Sequence, residues 1–323
     1  MKWNKWPILL AFVFAIMSHV VSAQTYPSKP IRLVVGFPAG GSSDTVARML
    51  AQKLTSQMGV SVVVDNKPGA GAMIAGLEVA RAPADGYTLL YATSSIVLAP
   101  AMQKKPAFNP LKDFRPIAAV ASAPLMIVVY PQFPAQTVSE LIQYAKAHPG
   151  TPYAHAGVGT NVHLAAALFN KTYRLNMIGI PYRGAVPALA DVVSGQVPTM
   201  IFNVVPDALG HVQAGRLRSL AILSTKRLTA LPNVPTISEA TGQKGLEVGA
   251  WHGVIGPVGI PDSIAQKLER EIGIAINSSD FKEKLAAMGT EPFPLDGKDF
   301  ADYMKAENEK WGGLIKELGI AEN

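Results

Sequence analysis

The chain has 323 residues, 49% of them hydrophobic and 16% charged, which is length enough for two modest lobes and a composition that excludes a disordered protein. It carries no cysteine and a formal net charge of +6, so disulfides, thiolate catalysis and cysteine-held metals are excluded. The basic residues are scattered, without the stripe interleaved with aromatics that a nucleic-acid partner requires.

Lys2 and Lys5 precede an apolar run from Ile8 to Met17, and Val21-Ser22-Ala23 places small residues before Gln24. This is the pattern of a secretory signal over residues 1–23, cleaved after Ala23, with the periplasm as destination. The run is short for a membrane span, no Cys stands at the cut for a lipid, and no twin Arg precedes it. Cleavage lowers the net charge from +6 to +4, an excess that attracts anions only weakly.

The mature segment alternates strand and helix. Ile31–Val35 reads as a buried strand, Asp44–Met58 as an amphipathic helix, Ser61–Asp65 as strand, Met73–Arg81 as helix and Tyr87–Ala92 as strand. That series implies a parallel sheet with helices on its faces and right-handed crossovers. The apolar run Ile117–Val129, interrupted by Pro124, reads as a strand crossing between lobes. A second series follows: helix Val138–Ala147, strand Pro152–His155, helix Asn161–Tyr173, strand Met177–Ile180, helix Ala185–Ser194, strand Thr199–Phe202 and helix Pro206–Ala214. Leu217–Leu223 reads as a strand returning to the first lobe, and the tail as helices over Asp262–Asn277, Asp280–Met288 and Lys298–Leu318. The expected architecture is therefore α/β, with residues 24–122 and 223–323 in one lobe, 123–222 in the other, and two strands crossing the hinge.

Two glycine-rich turns join a strand to a helix, one in each series: Gly36-Phe37-Pro38-Ala39-Gly40-Gly41-Ser42-Ser43-Asp44 and Gly157-Val158-Gly159-Thr160-Asn161-Val162-His163. Glycine allows close backbone approach, and a helix N-terminus offers unpaired N–H groups and the positive end of its dipole, so both favour an anion. Facing each other, they would form a pincer for a carboxylate. Either turn alone also reads as a tight turn with an ordinary cap. The first is not a P-loop, since no Lys-Ser/Thr follows its glycines, and the second lacks the third glycine of a dinucleotide fingerprint. Asp44, at a helix start, reads as a cap accepting backbone N–H groups, and would repel a carboxylate set directly beside it.

Local catalytic motifs are absent: there is no G-x-S-x-G elbow and no H-E-x-x-H. His155 and His163 lack a paired acid and make a poor zinc site. No metal and no cofactor are expected. A hydrolase or isomerase of a small acid, with Ser42 or Thr160 as nucleophile and His163 as base, remains the alternative.

In sequence order, the chain carries Tyr26-Pro27-Ser28-Lys29-Pro30-Ile31-Arg32, Phe37-Pro38-Ala39-Gly40-Gly41 with Asp44 and Arg48, Asp65-Asn66-Lys67-Pro68-Gly69-Ala70-Gly71 and Asp85-Gly86-Tyr87-Thr88-Leu89-Leu90. Then come Gly157-Val158-Gly159-Thr160 with His163, Pro181-Tyr182-Arg183-Gly184, Ala214-Gly215-Arg216-Leu217 and Leu231-Pro232-Asn233-Val234-Pro235-Thr236. Together these resemble the Bug-type, TctC-like solute-binding proteins of the tripartite tricarboxylate transporters, over nearly the whole mature chain. The resemblance implies a two-lobed, type II periplasmic binding protein of the Venus-flytrap kind. It implies no catalysis and a small carboxylate held between the turns (an amino acid, a di- or tricarboxylate or an aromatic acid). It assigns ligand contacts to Phe37, Ala39, Gly40, Ser42, Ser43 and Asp44 from one lobe, to Gly159, Thr160, Asn161 and His163 from the other, and a specificity wall to Thr93, Ser94 and Asn203. It also implies a monomer that delivers its solute to a membrane permease or a sensor protein. Ile201-Phe202-Asn203-Val204-Val205-Pro206 is apolar around Asn203, which makes the far end of the pocket less polar.

Overall fold

The computed structural model describes residues 26–157, 160–182, 185–246 and 248–319; the expected signal, residues 1–23, lies outside them. The first series forms β1 (Ile31–Val35), α1 (Ser42–Met58), β2 (Val62–Asn66), α2 (Met73–Ala80), β3 (Thr88–Thr93) and α3 (Ser95–Ala101). β1 pairs in parallel with β2 and β3. Ile31, Leu33 and Val35 enter one core and Val34 the opposite one, because alternate side chains of a strand leave opposite faces and this sheet is covered on both. α1 buries Val46, Ala47, Leu50, Ala51 and Leu54 at helical spacing and ends at Gly59, whose left-handed backbone closes the last turn.

The second series forms α4 (Val138–Ala147), β5 (Pro152–His155), α5 (Asn161–Tyr173), β6 (Ile178–Pro181), α6 (Ala185–Val193), β7 (Thr199–Asn203) and α7 (Pro206–Gln213). β5 is parallel to both β6 and β7. Between the two series runs β4 (Phe114–Val129). Its first part pairs antiparallel with β9 (Gly249–Pro257), its second part with β7 and with β8 (Arg218–Ile222). The strand order is β2-β1-β3-β9-β4-β7-β5-β6, with β8 and the short β10 (Glu291–Pro292) also on β4. Pro124 does not interrupt β4. It lies where the strand changes partners, opposite Gly249, and its carbonyl accepts from Val204 N–H; having no N–H of its own it forgoes the reciprocal bond, at the end of the β4–β7 ladder where a proline is tolerated.

β8 stays beside Met126–Val129 of β4, and the chain re-enters the first half only at β9, whose residues also pair with β3. An apolar strand of this length is equally suited to either half, and its partner is decided by tertiary packing. The intervening segment stays with the second half: Leu228 and Leu231 share a core with Met126 and Phe202, and Ile237, Leu246 and Val248 one with Ile127 and Phe169. The chain closes with α8 (Ile237–Thr241), α9 (Asp262–Asn277), α10 (Ser279–Ala287) and α11 (Gly297–Leu318). α11 contributes Phe300 and Met304 to a first-half core, and Trp311, Leu314 and Ile315 to a core shared with α5. No helix among the described residues is long and apolar enough to cross a membrane.

Candidate functional site

The first glycine turn connects β1 to α1 and is held from below by one carboxylate. Asp44 is buried, 3% exposed. Its Oδ2 accepts from Gly40 N–H (2.9 Å) and from Arg48 Nε (2.9 Å), and its Oδ1 accepts from Asn66 Nδ2 (2.9 Å). The Asn66 amide also donates to the Phe37 carbonyl at 3.0 Å, and its Oδ1 accepts from Arg48. Burial alone would push the Asp44 carboxyl up; the bonds from Arg48, Gly40 and Asn66, with the Arg48 charge, outweigh it and hold the group below the usual carboxylate range. Gly40 sits at φ +84°, where a side chain would be strained. Gly36 has a steric reason to be glycine: a Cβ there would lie 2.3 Å from the Ala72 Cβ. The N-cap position of α1 is Gly41, which supplies no side-chain acceptor, and Ala39, Gly40 and Ser42 are exposed around it. An exposed helix N-terminus without a side-chain cap is suited to receive an anion.

The second turn connects β5 to α5. Thr160 caps α5: its hydroxyl accepts from His163 N–H (3.3 Å) and donates to the Gly157 carbonyl (2.8 Å). Asn161 Nδ2 donates to Asn203 Oδ1 at 3.0 Å, tying the start of α5 to the end of β7. The His155 and His163 rings lie 4.4 Å apart and 31° from parallel. Burial, helped by His155, pushes His163 down to about 4, and burial lowers His155 as well. Both rings are therefore neutral near pH 7. The attraction this end offers an anion comes from backbone dipoles, not from an imidazolium.

A cavity of about 410 Å³ lies between the turns. Phe37 borders it from the first turn, and Ala156, Gly157 and Thr160 from the second. Its remaining wall is Ala70, Gly71 and Met73, ahead of and within α2, and Ser95, Leu98, Ala99, Met102 and Gln103, within and just after α3. Among the described residues no group of three His, Asp or Glu is placed to hold a metal ion.

The profile of the tripartite tricarboxylate transporter family receptors matches residues 46–320. The chain belongs to this receptor family. It is 37% identical to protein BugT of Bordetella pertussis over 302 residues, covering 93% of this chain and 92% of that one. Among solved structures it resembles R. palustris Rpa4515 with adipate (TM-score 0.80, 33% identity, 92% of this chain and 99% of that one). It also resembles the periplasmic binding protein BugD (TM-score 0.77, 33% identity, 92% and 100%). The receptor fold is accordingly the two-lobed α/β periplasmic binding protein, with β4 running from one sheet into the other.

Of the receptor residues singled out in the sequence, Phe37 and Thr160 line the cavity. Ala39, Gly40, Ser42 and Ser43 form the rest of the first turn, and Asp44 lies buried beneath it. Thr93 and Ser94 are buried at 6% and 4%: Thr93 Oγ1 accepts from Ser95 N–H, and Ser94 N–H donates to the Trp251 carbonyl. They position the start of α3, while Ser95 reaches the cavity. Asn161, His163 and Asn203 cluster at the start of α5, and Gly159 lies outside the described residues. The sequence reading misses the α3 wall and the turn at Gly69–Ala72. A signal for that turn exists in Asn66-Lys67-Pro68-Gly69-Ala70-Gly71: residues 69 to 72 all have positive φ, including Ala70 (+46°) and Ala72 (+74°). Strained non-glycine backbone of this kind clusters at ligand sites.

Proposed function

We propose that this receptor works in the periplasm, captures a small carboxylate between its two glycine turns, and passes it unchanged to a membrane permease or a sensor protein. The observation that carries the reading is the single cavity wall shared by Phe37 on one side and by Gly157 and Thr160 on the other. A carboxylate there lies beside Thr160 at the N-terminus of α5 and beside Phe37 in the turn that leads to the uncapped N-terminus of α1, while Asp44, accepting from Gly40, Arg48 and Asn66, positions the first turn without repelling the ligand. The adipate in the Rpa4515 structure supports the same ligand chemistry. Ligand contacts at Ala39, Gly40, Ser42, Ser43, Gly159, Asn161, His163 and Asn203 belong to this proposal, as does export through residues 1–23. So does a monomeric state. The packing of Leu228 to Val248 favours a second lobe running from about 123 to 248, longer than the sequence suggests.

The enzyme alternative needs Thr160 or Ser42 to be activated by His163. The Thr160 hydroxyl is already committed, donating to the Gly157 carbonyl and accepting from the His163 backbone, which favours binding over turnover. The test is a thermal-shift screen of refolded protein against amino acids, dicarboxylates, tricarboxylates and aromatic acids. A selective rise in Tm, with the ligand recovered intact after prolonged incubation, is expected. No rise with any carboxylate, or steady consumption of the one that binds, overturns the proposal.

A further inference from the structure

The carboxylate end of the cavity is supplied by backbone; the body of the ligand must be recognised by the rest of the wall. That wall carries no charged side chain among the described residues: Met73 from α2 and Leu98, Ala99 and Met102 from α3 make it apolar, with Ser95 and Gln103 its polar side chains. Leu98 is 2% exposed and belongs to the core that continues into α5 and α11, so this part of the wall is anchored by packing. Lys104 and Lys105 follow Gln103 on the exposed surface and do not line the cavity. A second carboxylate enclosed here would lose its water and gain no cation from the described residues of the wall, which is unfavourable unless a partner is supplied. An aliphatic or aromatic body gains by the same enclosure, and thioether side chains adapt to its shape.

Resting on the carboxylate reading above, we infer that the ligand of this receptor is a monocarboxylate with an apolar body, and that di- and tricarboxylates are discriminated against by the α3 wall. Charge at the far end, not size, is the feature rejected. Hexanoate and adipate are the matched probes, having the same carbon chain and differing in the second carboxylate; hexanol removes the first carboxylate.

Calorimetry of refolded protein with these three, and with benzoate as the aromatic arm, tests the inference. Hexanoate or benzoate should bind at least about ten-fold more tightly than adipate, with hexanol weaker than hexanoate. Met102→Lys, at a half-buried position where a long side chain can reach the cavity and keep its ammonium wet, should narrow or reverse the preference for hexanoate over adipate. Adipate binding as well as hexanoate or better in the unmodified protein overturns the apolar-wall inference and leaves carboxylate capture standing. Hexanol binding as tightly as hexanoate overturns carboxylate capture and leaves the apolar wall. Binding of none of the four overturns both.

Discussion

Asp44 illustrates how a buried charge can support the proposed anion site without touching the anion. Gly40 and Arg48 both donate to one of its oxygens, and Asn66 donates to the other. In Asp44→Asn, whichever way the amide is turned, its NH₂ faces a donor. The variant should lose about 2 kcal/mol in urea unfolding, since buried charge-assisted bonds are lost and a donor is stranded. Carboxylate affinity should fall with it as the first turn loosens; unchanged stability would exclude the network as the turn's support. Because the folded pKa of Asp44 is depressed, its contribution is present above the ordinary carboxylate range and is lost only as pH falls through the lower folded value. His252 acts at higher pH. It is fully enclosed, its Nδ1 lies 2.9 Å from the Tyr91 hydroxyl, and burial pushes it down to about 4 from 6.5. The unfolded chain therefore takes up a proton that the folded one refuses. The stability this represents is complete above pH 6.5 and is lost progressively toward pH 4, by about 3 kcal/mol in all. His163 adds to the slope in the same direction. Chemical denaturation between pH 7 and 4 measures it, and His252→Asn should flatten it.

At the scale of elements, β9 shows what sequence periodicity conceals. Its glycines, Gly249, Gly253 and Gly256, weaken any strand signal, yet they are there because the neighbours come too close for side chains. A Cβ on Gly253 would lie 2.4 Å from Phe300 Cζ and 3.0 Å from the Ala118 carbonyl oxygen, and Phe300 is fully enclosed and cannot swing aside. Gly253→Ala should cost about 1–3 kcal/mol through overpacking. Gly273→Ala in α9 meets nothing within 4 Å and should be neutral or stabilising by up to about 1 kcal/mol. Equal effects of the two in urea unfolding would refute the steric reading. The same logic explains which parts of the site were legible. The two turns announce themselves through glycines followed by Ser or Thr at a helix start, and the alternating series sets the order of strands. α3 does not: it follows β3 without a break, begins with β-branched Ile96 and Val97, and contains Pro100 in its last turn. Its helical form is imposed by packing, so this wall of the cavity could not be read beforehand.

At the scale of the molecule, the two halves are joined by β4, which pairs with β9 in the first and with β7 and β8 in the second, and by α11, which contributes to cores of both. Ligand capture by such a fold draws on the difference in affinity between open and closed arrangements, so any element that fixes the halves relative to each other must alter affinity. Trp311 is the anchor of α11 on the second half. It is 3% exposed, its Nε1 donates to Glu307 at 2.8 Å, and it shares a core with Leu98 of the cavity wall and with Phe169 of α5. Phe281, on α10, is equally buried but belongs to the outer core of the first half, with Leu285 and Ile276. Both Trp311→Ala and Phe281→Ala should cost about 3–5 kcal/mol, the usual penalty for emptying a large aromatic site. They should part company in binding. Measured by calorimetry well below either variant's Tm, Trp311→Ala should change carboxylate affinity, because it loosens both the α3 wall and the seating of α5, whose N-terminus forms the second turn. Phe281→Ala should leave affinity unchanged. If both variants bind like the unmodified protein, α11 contributes stability alone, and the continuous strand β4 carries the mechanical coupling between the halves.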